Sequence, residues 1–124
     1  MPPRILIVDD SPLIRKLVRT CVEAQLGWMV CAEAENGRDA IQLAQQCHPN
    51  LIVMDLSMPV MNGLEAAKVL RKLMPSVPLI MFTFFSTSNL ERQAFEAGYR
   101  KVVLKTQRLE ELVSSIRSLV AEAA

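Results

Sequence analysis

Four short apolar runs, ILIV (residues 5–8), LIVM (51–54), LIMF (79–82) and VVL (102–104), are continuous rather than alternating. A strand with one face in water alternates apolar and polar residues, whereas a strand covered on both faces does not. The runs therefore predict the inner strands of a sheet with a layer on each side. WMVCAEA (28–34) is a fifth, more mixed run and belongs nearer an edge.

Helical patterns separate the runs. Ser11 and Pro12 form an N-cap followed by proline at the first helical position. Ile14, Leu17, Val18 and Cys21 then mark an apolar face, with Gly27 as the expected stop. A second helix is expected over 38–47, closed by Pro49 and Asn50, with His48 capping its C-terminus. A third starts near Gly63 with Leu64, Ala67, Leu70 and Met74 on one face. A fourth covers about 87–97 and ends at Gly98. The last carries Leu109, Leu112, Val113, Ile116 and Val120 at helical spacing, and the terminal AEAA reads as its frayed end. Strand and helix thus alternate five times. Right-handed crossovers cover both faces of a parallel sheet, which predicts an α/β, flavodoxin-like, doubly wound five-stranded sheet of order 2-1-3-4-5 with five helices. A chain of 124 residues fits one domain over 1–124.

The remaining composition mostly excludes. Net charge is +1 with no basic block, so no nucleic-acid contact is expected from this chain. No apolar run reaches membrane-spanning length and the N-terminus does not read as a secretory signal, so a cytoplasmic location without membrane contact is expected. The three cysteines, Cys21, Cys31 and Cys47, include no C-x-x-C pair and are expected as buried, reduced thiols. Met54 is expected in the core and Met61 exposed.

In such sheets ligands bind outside the carboxyl ends of the strands. Asp9 and Asp10 end strand one, Asp55 ends strand three, Thr83 ends strand four and Lys105 ends strand five. Singly, each has an ordinary explanation as a helix-start acid, a turn residue, a strand threonine or a solvated lysine. Together, three acids and one cation at one rim carry excess negative charge beside a low-dielectric edge. A divalent cation would offset it. Oxygen ligands favour Mg²⁺ or Ca²⁺, and few carboxylates with room for water and a phosphoryl group favour Mg²⁺. The threonine hydroxyl and lysine ammonium are then free for phosphoryl oxygens. Asp55, on the central strand, is the best placed carboxylate nucleophile.

The segments ILIVDDSPLIR, LIVMDLSMPVMNGLE, LIMFT and VVLK resemble the receiver domain of bacterial response regulators, over about residues 4–120. The resemblance extends to single-domain chemotaxis-type receivers and to receivers belonging to a longer regulator. It implies a phospho-accepting switch rather than an enzyme, one that assists its own phosphorylation and dephosphorylation. Asp55 is the implied acceptor, with a sensor histidine kinase or phosphotransfer protein as donor. Asp10 and Asp55 would ligate Mg²⁺ through side chains, Asp9 through water and Ser57 through its carbonyl, while Thr83 and Lys105 would bind the phosphoryl group. No other cofactor is implied. Phosphorylation would alter the surface of helix four, strand five and helix five. A downstream protein or an output domain outside this chain would read it, and homodimerisation on phosphorylation is a further expectation. The ending resembles receivers of the helix-turn-helix transcription-factor branch.

Three features depart from the family pattern. Val102 stands where an aromatic residue is frequent, so a threonine–tyrosine switch gives way to movement of helix four. Thr106 follows Lys105 in place of proline, so a trans bond is expected. Phe84 and Phe85 follow Thr83, where small residues are usual. They either pack in the core or under helix four, or Phe84 narrows access to Asp55 and slows autodephosphorylation while Phe85 anchors a partner. Other classes are a phosphorylation-independent receiver-like interaction module, a phosphatase of the haloacid dehalogenase type and a flavin carrier. The dehalogenase type would need a D-x-D pattern on strand one, and a flavin carrier would need phosphate-binding amides where three acids stand.

Overall fold

A computed structural model describes residues 2–123. Its elements are β1 (Arg4–Val8), α1 (Pro12–Glu23), β2 (Met29–Ala34), α2 (Gly37–Cys47), β3 (Leu51–Met54), α3 (Gly63–Leu73), β4 (Leu79–Thr83), α4 (Ser88–Ala97), β5 (Tyr99–Leu104) and α5 (Leu109–Ala123). The strands form one parallel sheet in the order β2-β1-β3-β4-β5, as the apolar runs predict.

Alternate residues of each strand feed opposite cores. Leu6, Val8, Ile52, Met54 and Met81 pack beneath α2, α3 and α4, which contribute Ala40, Ala44, Ala66, Ala67, Leu70, Ala94 and Ala97. Ile5, Ile7, Leu51, Val53, Ile80 and Phe82 pack beneath α1 and α5, which contribute Val18, Val22, Leu112, Ile116 and Leu119. Small alanines let α2, α3 and α4 sit close to the sheet, so the first core is built largely from strand side chains. β1, β3 and β4 are buried along almost their whole length, because helices cover both faces.

Local caps agree with the chain's polar punctuation. Ser11 accepts from the Ile14 N–H, Asn36 from Asp39 and Thr87 from Leu90. Asn62 and Glu65 form a capping box at α3.

Several boundaries and burials differ from the sequence expectation. α1 ends at the cap Ala24, and a tighter Gln25-to-Val22 turn forms before Gly27, which lies in the following loop at φ 84. α2 begins one residue early, at Gly37. His48 does cap it, through its backbone N–H to the Ala44 carbonyl at φ 50. Met74 is the cap of α3 and still packs on the same core as Leu64, Ala67 and Leu70. β5 starts at Tyr99, because a bulge at Arg100 lets the strand continue through two charged residues. Leu17 is exposed, Met61 is half-buried and all three cysteines are half-buried free thiols, whereas Met54 is in the core. α5 continues through Ala123; Ala124, the last residue of the expected frayed end, lies outside the described residues. Among the described residues no helix is long and apolar enough to cross a membrane.

Candidate functional site

The sheet's hydrogen bonding continues one residue past β1 and β3, and that fixes two acids. The Asp9 N–H donates to the Ala34 carbonyl at 3.0 Å, and the Asp55 N–H donates to the Val8 carbonyl at 2.9 Å. Both carboxylates are buried at the carboxyl edge, while Asp10 is exposed beside them. Carboxylate oxygens of Asp9, Asp10 and Asp55 lie within 4.8 Å of one another.

Lys105 enters this group from the turn after β5. Its Nζ lies 2.7 Å from Asp9 Oδ2 and 3.3 Å from Asp55 Oδ2, with a side chain only 3% exposed. The turn is held by the Lys105 N–H donating to the Thr83 carbonyl at 2.6 Å and by Gln107, whose side-chain oxygen accepts from the Leu104 N–H. All peptide bonds of the described residues are trans, including that between Lys105 and Thr106.

The remaining valences are partly used. Asp9 Oδ1 accepts from the Ser11 N–H at 2.9 Å, and Asp55 Oδ1 from the Leu56 N–H at 2.8 Å. Burial pushes the Asp55 carboxyl above the ordinary carboxylate value, and the charge of Asp9 pushes the same way; Lys105 and the Leu56 N–H pull it down. Burial and like charge win, so one ammonium does not neutralise the cluster. Hard oxygen donors with an uncompensated negative charge and one exposed member fit a small divalent cation that keeps some of its water. A shallow hollow lined by Asp10, Leu56, Ser57, Met58 and Asn62 opens beside them.

Thr83 is buried at the end of β4. Phe84, next to it, is 59% exposed, and its ring centroid lies 4.8 Å from Lys105 Nζ. Phe85 is 71% exposed. Neither is a core residue, since the β4–α4 loop turns both outward. Phe82 fills the core position and lies 6.0 Å from the same ammonium. Val102 packs, half-buried, on the core beneath α4.

Sequence reasoning places Tyr99 near the rim but out of register for a switch, and misses its role. Tyr99 is buried, and its hydroxyl donates to the Gly63 carbonyl at 2.8 Å. Burial, and then the charge of Asp55, raise its phenol well above its ordinary value, so it stays a neutral donor. Gly63 also donates its N–H to the Leu56 carbonyl at 2.8 Å. A Cβ on Gly63 would stand 2.2 Å from the Asp55 carbonyl oxygen and 2.9 Å from the Tyr99 hydroxyl. The start of α3 is thus pressed against the back of Asp55 and pinned there by Tyr99. The signal was present in Gly98-Tyr99, but the charged pair after it hid the strand.

The family description "Response regulator receiver domain" matches residues 5–117. The chain is 36% identical over 115 residues to an uncharacterized transcriptional regulatory protein, YxjL, of Bacillus subtilis, covering 93% of this chain and 53% of that protein. It is 29% identical over 119 residues to the chemotaxis protein CheY of Thermotoga maritima, covering 96% and 98%. A two-component response regulator of the LuxR family from an Aurantimonas species superposes with a TM-score of 0.93 at 34% identity, over 98% of this chain and 87% of that one. The chain spans about half the length of the transcriptional regulators it matches. Fold, carboxylate rim and relatives agree: the chain belongs to the response regulator receiver domains, the phospho-accepting switches of two-component systems.

Proposed function

We propose that residues 1–124 act as one receiver unit in which Asp55 accepts a phosphoryl group from a sensor histidine kinase or a phosphotransfer protein. The supporting observation is the buried Lys105 ammonium shared between Asp9 and Asp55 at the strand ends. Asp55 Oδ2 attacks phosphorus in line with the departing donor atom, whose bond to phosphorus breaks. The Leu56 N–H holds the other oxygen and so fixes the carboxylate plane. Lys105 turns from Asp9 to a phosphoryl oxygen, and the Thr83 hydroxyl takes another. Asp10 and Asp55 through their side chains, Ser57 through its carbonyl and Asp9 through water would hold Mg²⁺. When bound, the cation offsets the carboxylates and the phosphoryl oxygens. The protein is a phosphoacceptor that assists its own phosphorylation and dephosphorylation, not an enzyme acting on a separate substrate.

Phe84, over Lys105, narrows the approach to Asp55 and retards water attack on the acyl phosphate. Because Tyr99 is pinned and Val102 is aliphatic, the signal travels through α4 and the surface of α4, β5 and α5. Phe85 is an anchor for a downstream protein or an output domain outside this chain. Homodimerisation on phosphorylation, a cytoplasmic setting and the lack of nucleic-acid and membrane contacts complete the reading. A phosphorylation-independent interaction module is the alternative, favoured only by the exposed Phe84 and Phe85. Borohydride reduction after exposure to a small acyl phosphate separates them. Position 55 should be recovered as homoserine; reduction at another acid, or at none even in Phe84→Ala, contradicts the assignment.

A further inference from the structure

Two of the three cysteines meet. Cys31 Sγ and Cys47 Sγ are 2.9 Å apart, both as half-buried free thiols. The approach has a local cause. Between the pairs Ile5↔Val30 and Leu6↔Ala32, β2 carries one residue more than β1, and that residue is Cys31. A bulge re-aims the extra side chain, and Cys31 packs on the core beneath α2. Cys47 is the last residue of α2. Its position is fixed by the left-handed turn at His48 and by Arg4, whose Nε donates to the Cys47 carbonyl at 3.1 Å. The two sulfurs therefore face each other across elements held independently. A small rotation of either side chain closes the gap to the bond length of about 2.05 Å.

We propose that Cys31 and Cys47 form a thiol–disulfide exchange site, oxidised by low-molecular-weight disulfides of the glutathione class and restored by dithiols. Burial, reinforced by the neighbouring Cys47 sulfur, pushes the Cys31 thiol up to about 12, so Cys31 keeps its proton and exchange begins at Cys47. The Cys47 thiol loses its proton to water and its thiolate attacks one sulfur of glutathione disulfide. That S–S bond breaks, one glutathione leaves and takes up a proton, and a mixed disulfide remains on Cys47. Cys31 then attacks the Cys47 sulfur, its proton passing to the departing second glutathione. In sum, two protein thiols lose two electrons and two protons, and one glutathione disulfide becomes two glutathiones. The bond ties the edge strand β2 to the end of α2, at the sheet edge opposite the carboxylate rim. The site does not depend on phosphorylation at Asp55.

The test equilibrates the folded wild-type chain in glutathione buffers of rising oxidised-to-reduced ratio, blocks free thiols by alkylation and maps the peptides by mass. The expected product lacks two hydrogen atoms and carries one alkylated thiol, at Cys21. It yields a Cys31–Cys47 cross-linked peptide and reverts with dithiothreitol. Cys31→Ser should stop at a glutathione adduct on Cys47. Cys47→Ser should glutathionylate at Cys31 at least about tenfold more slowly than that. Three alkylated thiols at every ratio, a stable wild-type glutathione adduct without a cross-link, or a bond involving Cys21 would overturn the proposal.

Discussion

Lys105 is almost sealed from water, and both of its ionic partners are acids. Removing its charge leaves Asp9 and Asp55 facing each other without compensation. Breaking a buried ion pair from one side costs about 3–5 kcal/mol. Lys105→Met should therefore lower metal-free stability by about 3 kcal/mol in urea titration, with part of the loss recovered in Mg²⁺. A loss well under 1 kcal/mol would mean that the ammonium does not hold the rim together. The neighbouring ring makes a kinetic prediction. Phe84→Ala removes the wall over Lys105 without touching the carboxylates, so labelling by a small acyl phosphate and the decay of the label should both quicken, by about tenfold at the upper end of what access alone provides. Time courses by phosphate-affinity electrophoresis read both rates, and unchanged rates sink the gate. The acids, Thr83 and Lys105 were legible as rim residues because each directly ends or follows a continuous apolar run. Tyr99 was not, since its role comes from a hydroxyl reaching the Gly63 carbonyl, 36 residues away in sequence.

At the scale of elements, the loop between β3 and α3 carries local strain. Val60 sits at φ 69 while the Met61 N–H donates to the Pro59 carbonyl at 2.7 Å, a three-residue turn with positive φ at a β-branched residue. Left-handed geometry costs such a residue about 1–2 kcal/mol, and glycine gives back part of that through its own chain entropy. Val60→Gly should raise stability by about 0.5–1 kcal/mol, measured by urea unfolding. A loss of the same size would show that the turn relaxes in solution. The loop is nonetheless well tied at its far end, where the Asn62–Glu65 capping box and the buried Gly63 deliver α3 against Asp55. Element types were readable from the switch between continuous runs and helical spacing. Register was less so. The extra residues at Cys31 and Arg100 depend on how neighbouring strands match, and a single strand's composition does not record that. The end of α1 was misplaced for a related reason: the chain tightens at Ala24 before the glycine that seemed to stop it.

For the whole molecule, two cores on either side of one sheet provide the stability, and the rim draws on it. Asp55 titrates above its ordinary value of 3.8 in the folded chain. The folded state thus holds that proton more tightly than the unfolded state does. Stability from this group is present below the ordinary value and is lost as pH rises through the raised one. In EDTA, the melting temperature should carry this downward component toward neutral pH. Mg²⁺ should oppose it, contributing roughly 1.4 kcal/mol at ten times its dissociation constant. Melting curves across pH, with and without Mg²⁺, should diverge as pH rises; parallel curves would show that the cation does not act on the carboxylates.

The central claim is that Asp55 accepts the phosphoryl group, and intact-mass measurement tests it most directly. Wild type and Asp55→Asn are incubated with Mg²⁺ and a small acyl phosphate, each also in the Phe84→Ala background. Wild type, or its Phe84→Ala form, should gain one phosphoryl group, and neither protein carrying Asp55→Asn should gain any. Equal labelling of the asparagine variant, or no labelling of any of the four, would contradict the claim.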